Sequence, residues 1–121
     1  MRNALNWFEI PTTDLDRASR FYERALGIEL RREVFAGTPN AFFSYDKPGV
    51  GGALIADPHR KPGGDGTLVY LDATGKLDAV LARIPDLGGQ VVLPRTSIGP
   101  VGFIALVRDT EGNVIGLHSP T

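Results

Sequence analysis

The feature that most constrains this chain is a repeat. Leu15 returns as Leu77 and Leu26-Gly27 returns as Leu87-Gly88, offsets of 62 and 61 residues, and the patterns around them return in the same order. Repetition at a fixed period means that one supersecondary unit is built twice, and each unit must then cover its apolar face against something. In 121 residues this leaves room for two small units and no third.

The first unit opens on Leu5 to Ile10, which alternates as a strand does, with Trp7 and Glu9 on one side and Phe8 and Ile10 on the other. Pro11 has no N–H to give a ladder and ends it. Thr13 or Asp14 can cap a following helix. Leu15, Ala18, Phe21, Tyr22, Ala25 and Leu26 share one helical face, and Gly27 stops the helix. Three strands follow, over about 28–36, 40–46 and 51–56, parted by Gly37-Thr38-Pro39-Asn40 and Asp46-Lys47-Pro48-Gly49.

Residues 57–66 are polar and rich in Pro and Gly, and read as a linker between a first module over about 4–56 and a second over about 67–119. The second repeats the order: a strand over Thr67 to Asp72, a helix capped by Thr74 with Leu77, Val80, Leu81 and Ile84 as its stripe, and strands over about 90–94, 101–107 and 113–118. Pro85 should break the helix near its end. The fold class is therefore α+β: two βαβββ modules in tandem, forming a curved mixed sheet around a central cavity with the helices outside. On strand parity Trp7, Glu9, Val114, Gly116 and His118 face that cavity, while Ile115 and Leu117 pack behind.

Composition excludes several functions. A net charge of −1 gives no basic field for nucleic acid or anionic membrane. The absence of cysteine removes disulfides, thiolate metal sites and thiol nucleophiles. No apolar run approaches the ~18 residues of a spanning helix. Met1-Arg2-Asn3-Ala4 shows no apolar signal region, so a cytoplasmic location is expected. Gly51-Gly52 and Gly63-Gly64 do not open a helix after a strand and are not phosphate loops.

Glu9-Ile10-Pro11, Asp14-Leu15, Ala18, Phe21-Tyr22, Leu26-Gly27, Gly88-Gly89 and Asp109-Thr110-Glu111-Gly112-Asn113-Val114-Ile115-Gly116-Leu117 together resemble the vicinal oxygen chelate superfamily. That superfamily includes glyoxalase I, extradiol dioxygenases, fosfomycin-modifying enzymes and bleomycin-binding proteins. The resemblance implies a divalent metal held by His, Gln or Glu near the start of each module's first strand and in each last strand. Carried over, those positions fall on Trp7, on Leu68 or Val69, on about Leu54 and on Gly116, and none offers a usual ligand. No metal or other cofactor is expected on this reading. Glu9 and His118, each two residues beyond its family position, are the catalytic or ligating candidates that remain.

The expected function is binding of a small, partly apolar organic ligand in the inter-module cavity, through Trp7, Glu9, Val114, Gly116 and His118. The alternative is a metal-dependent lyase, isomerase or dioxygenase using Glu9 and His118. A third possibility is an accessory module whose cavity Trp7 fills. Glu9 has a plainer reading as a carboxylate paired with Arg31 or Arg32, His118 as an exposed strand-end residue, and His59 as a solvated linker residue. The resemblance also implies a homodimer.

Overall fold

The structure is a computed structural model that describes residues 3–121. The first module runs β1 (Trp7–Pro11), α1 (Leu15–Leu26), β2 (Leu30–Phe35), β3 (Thr38–Phe43) and β4 (Gly51–Ile55). The second runs β5 (Tyr70–Asp72), α2 (Leu77–Arg83), β6 (Gln90–Ser97), β7 (Phe103–Arg108) and β8 (Val114–Ser119). Each module makes one four-stranded mixed sheet, in the orders β1-β4-β3-β2 and β5-β8-β7-β6. In both, the first strand lies parallel to the last and the other pairings are antiparallel.

The duplication can be read residue by residue from the backbone. Thr12 N–H donates to the carbonyl of Ile55 and Ala73 N–H to that of His118, so Thr12 corresponds to Ala73 and Ile55 to His118. Trp7 therefore corresponds to Leu68, which settles the register left open in the sequence. The counterpart of Gly116 is Ala53 rather than Leu54: Leu54 is fully buried with the helix-facing residues, and Ala53 lies opposite Glu9 on the other face.

Helix α1 forms as its stripe predicts, with Leu15, Ala18, Phe21, Tyr22, Ala25 and Leu26 all buried. Asp14 caps it by accepting from Arg17 N–H at 3.0 Å, and Gly27 ends it at φ 66°. The second helix departs from expectation at its start. Thr74 does not cap it but donates its hydroxyl and N–H to Asp72, and the helix begins after Lys76 with no side-chain cap. Pro85 turns its end into a short 3-10 segment, Pro85–Leu87. Strand β5 is shorter than the expected 67–72, since only Tyr70–Asp72 pairs with β8. Strand β6 runs past 94 to Ser97, with register shifts against β7 on either side of Leu93; Pro94 is tolerated because β6 is an edge strand.

One hydrophobic core spans both modules, joining Ile10, Phe21, Tyr22 and Leu54 of the first to Leu71, Val80, Ile84 and Leu117 of the second. The helices touch each other inside this arrangement, and β1 and β5 are the free edges of the two sheets along the seam. The faces turned away from the helices carry Trp7, Glu9 and Phe42 in the first module and Tyr70, Gly116 and His118 in the second.

Candidate functional site

Three groups of side chains stand at or beside the helix-free faces. The first is aromatic. Trp7 lies 5.8 Å from Phe42 at an interplanar angle of 56°, and 6.3 Å from Tyr45 at 73°, while the Arg31 guanidinium sits 5.3 Å over the Phe42 ring. With Glu29 and Ser44 these line a bay of about 340 Å3. Rings tilted at these spacings pack edge-to-face on one another, and the part of their surface that this packing leaves uncovered faces the bay. The rings hold this shape because Gly51, opposite Trp7 in the ladder, lets the Tyr45 ring lie directly on the strand.

The second group surrounds Glu9. Glu9, Pro11, Lys61, Asp65, Thr67 and Val114 border a cleft of about 240 Å3 at the seam. The linker contributes Lys61 and Asp65, which no local pattern in the chain places beside Glu9. Among the described residues the Glu9 side chain has no hydrogen bond or ion pair; Arg31 pairs with Glu33 at 3.1 Å and Arg32 with Asp16. The pairing of Glu9 with Arg31 or Arg32 considered from sequence is therefore not formed.

The third group is on the second sheet. His118 Nε2 donates to the Val101 carbonyl at 2.8 Å, which ties β8 to the 3-10 turn Gly99–Val101 and leaves Nδ1 as the ring's other polar atom. Tyr70 lies over Gly116, so that a Cβ there would collide with its ring. The expected set is thus distributed. Glu9 and Val114 share the seam cleft, Trp7 belongs to the aromatic bay one alternate position along β1, and Gly116 is roofed by Tyr70. None of these clefts is lined by both Glu9 and His118. Of the aromatics whose direction was open, Phe42 and Tyr70 are on helix-free faces, and Phe103 packs on the core under Arg95. His59 is exposed.

A polar network that the sequence did not reveal fixes the seam at the end of β1. The Glu111 side chain has no solvent exposure and accepts from the N–H groups of Thr13 and Asp14, each at 2.9 Å, and from Arg17 Nε at 2.7 Å. Burial alone would raise its carboxyl; bonds from Arg17, the Asp14 and Thr13 backbone and Thr110 outweigh this and hold it at about 2. Asp109 accepts from the buried Tyr22 hydroxyl at 2.6 Å, and Asn113 donates to the Pro11 carbonyl at 2.8 Å. Desolvation first, then the Asp109 charge and hydrogen bond, push the Tyr22 hydroxyl well above its ordinary value. In sequence these residues read only as a turn; their partners lie about ninety residues away.

The chain matches the family described as Glyoxalase/Bleomycin resistance protein/Dioxygenase superfamily over residues 4–117, and it belongs to that family. It is 30% identical over 115 residues to "Putative glyoxylase CFP32" of Mycobacterium tuberculosis and of Mycobacterium bovis, covering 93% of this chain but 44% of theirs. The chain thus spans less than half the length of these curated relatives. Among solved structures, TnmS3, an antibiotic binding protein from Streptomyces sp. CB03234, is 27% identical with a TM-score of 0.70, over 98% of this chain and 97% of that one. A glyoxalase/bleomycin resistance protein from Albidiferax ferrireducens T118 shares the fold at TM-score 0.71 and 20% identity, over 97% and 99% of the two chains.

The divalent ion that the family resemblance implies would need side-chain donors at four positions. The four corresponding positions hold Trp7, Ala53, Leu68 and Gly116, whose side chains have no lone pair to give a metal. They do not fit the ion. Among the described residues no three His, Cys, Asp or Glu side chains are gathered as a ligand set elsewhere. Among the described residues no helix is long and apolar enough to cross a membrane.

Proposed function

We propose that this chain binds a small, partly apolar organic molecule on the helix-free face of its first sheet, without a resident metal. The observation that carries this reading is the bay of Trp7, Phe42 and Tyr45, whose about 340 Å3 falls within the roughly 300–1,000 Å3 of ligand pockets. Trp7 supplies a flat surface to stack on and Glu29 a carboxylate at the bay, while Glu9, two residues along the same strand face, borders the adjoining seam cleft. Antibiotic binding by TnmS3 supports the same reading for a chain of similar length and sequence. The ligand in this proposal is an aromatic or heteroaromatic compound rather than a sugar or a nucleotide, since the walls are rings and the bay holds a single basic group, Arg31.

His118 enters this proposal through Nδ1 only, as a polar contact from the second sheet. A homodimer in the cytoplasm remains part of the proposal. The dimer rests on exposed apolar side chains outside the bay, Val34 and Phe35 of the first module and Val92 and Val101 of the second, which a second copy would cover.

Trp7 is the chain's only tryptophan, so intrinsic fluorescence reports on the bay directly. Titration with bleomycin and with 1-naphthoate, each in EDTA, is expected to give a saturable change for at least one. A response that appears only when a divalent metal is added, or no saturable response to either, would overturn the proposal.

A further inference from the structure

The seam between the modules is closed at one end by Glu111, Asn113 and Tyr22, and is open at the other. There the end of α1, the start of β1 and strand β5 enclose a cleft of about 380 Å3, distinct from the aromatic bay, with which it shares only Phe43 and Ser44. Its walls are apolar, chiefly Leu5, Phe8, Leu26, Ile28, Val50 and Leu71. Such walls favour an apolar guest, while the polar groups at the rim are left to orient it.

The rim carries two opposite charges four residues apart, Asp72 and Lys76. Among the described residues the Lys76 ammonium has one partner, the Leu26 carbonyl at 2.6 Å, so two of its three N–H groups are uncommitted. Both Thr74 donors go to Asp72 Oδ1, and Oδ2 accepts from nothing among the described residues. The Thr74 bonds, and then the charges of Lys76 and His118, hold the Asp72 carboxyl below its ordinary range against a smaller opposing effect of burial, so it stays ionised at neutral pH.

We propose that this cleft binds an apolar α-amino acid, its carboxylate on Lys76, its ammonium on Asp72 and its side chain against Phe8, Ile28 and Val50. A simple carboxylate would meet Lys76 but also the charge of Asp72, and a simple amine would meet the reverse. A zwitterion answers both charges and leaves the cleft neutral. The volume sits at the lower end of ligand pockets and suits a side chain the size of Leu or Phe.

The test is calorimetric titration of the whole chain with L-leucine and L-phenylalanine, beside 3-phenylpropanoate and phenethylamine, which each carry one of the two charges. Saturable binding of an amino acid is expected, with each half-molecule weaker by about tenfold or more. Asp72→Asn and Lys76→Met should each weaken the amino acid by about tenfold. Lys76→Met also removes a contact to α1, so Val50→Trp serves as the second variant: it fills the cleft, touches neither charge and should abolish binding in a protein whose melting temperature is kept. The proposal fails if neither amino acid binds saturably, if 3-phenylpropanoate binds as tightly as L-phenylalanine, or if folded Val50→Trp still binds. Trp7 fluorescence reports separately on the aromatic bay, so failure here leaves that reading standing.

Discussion

The two modules are alike where they face their helices and unlike where they do not. On the helix side Ile10 matches Leu71, Leu15 matches Leu77, Ala18 matches Val80, Tyr22 matches Ile84 and Leu54 matches Leu117, and every one is buried. On the other side Trp7 matches Leu68, Glu9 matches Tyr70 and Ala53 matches Gly116. Packing against a helix tolerates only apolar side chains of suitable size, so a duplicated core keeps its pattern. An open face has no such demand and is free to acquire chemistry. In the first module it has gathered three rings, the carboxylate of Glu9 and the Arg31 guanidinium. In the second, one ring covers a glycine and the histidine is tied to a turn.

The largest effect should come from breaking what makes the two modules one body. Replacing Glu111 with Ala leaves the Thr13 and Asp14 N–H groups, just before α1, without an acceptor and Arg17 without its partner, and should cost about 3 kcal/mol in urea unfolding. The pH dependence has a definite sign. The carboxyl sits at about 2 when folded and at an ordinary 4.5 when unfolded, so its contribution is complete above pH 4.5 and declines as pH falls from there toward 2. Glu111→Gln should flatten the stability profile across that window; an unchanged profile would show that Glu111 does not hold the seam.

Next comes the open face of the first module. Trp7→Leu should weaken an aromatic probe by about tenfold to a hundredfold while shifting stability by no more than about 0.5 kcal/mol, because Trp7 is 37% exposed and outside the core. The two effects separate cleanly in a fluorescence-independent titration paired with a melting curve. A large stability loss with unchanged binding would make Trp7 a packing residue and erase the contrast between the two faces. Smaller still is Tyr22→Phe, which removes one hydrogen bond from a buried Asp109 that keeps its bonds from Asn113 and the turn backbone. It should cost about 1–2 kcal/mol of stability and nothing in binding.

This contrast also explains what the sequence disclosed. The helix stripe of α1, the stop at Gly27 and the parity of β1 and β8 were legible because burial imposes period 3.6 or period 2 on neighbours in the chain. The duplicated α+β architecture follows from them. The short β5 was not legible: Thr67-Leu68-Val69 has strand-like residues, yet the parallel ladder begins only at Tyr70 opposite Gly116, although β8 itself starts at Val114. Nor was the site. Trp7 and Glu9 share a strand face, as the alternation predicts, but Phe42 and Tyr45 come beside Trp7, and Lys61 and Asp65 beside Glu9, through register and linker path, which no local period records. The Thr74 cap failed because a nearer acceptor, Asp72, competed for its hydroxyl and N–H.

The smallest effects sharpen the comparison most, because each module holds an arginine over a phenylalanine and only their faces differ. Arg31 lies 5.3 Å over Phe42 on the open side, with Glu33 as an ion partner and side-chain exposures of 73% and 46%. Arg95 lies 3.9 Å over Phe103, which packs on the core, and has Asp78 as its partner. A cation over a ring gains more as water is excluded, and an exposed ion pair adds little. Arg95→Ala should therefore cost about 1 kcal/mol of stability, and Arg31→Ala about 0.3 kcal/mol or less. For binding the order reverses: Arg31→Ala uncovers a face of Phe42 and should tighten a neutral aromatic probe about twofold to threefold, whereas Arg95→Ala should leave it unchanged. Equal stability losses in the two variants, or equal binding changes, would mean that the faces are not divided between folding and recognition in the way the repeat suggests.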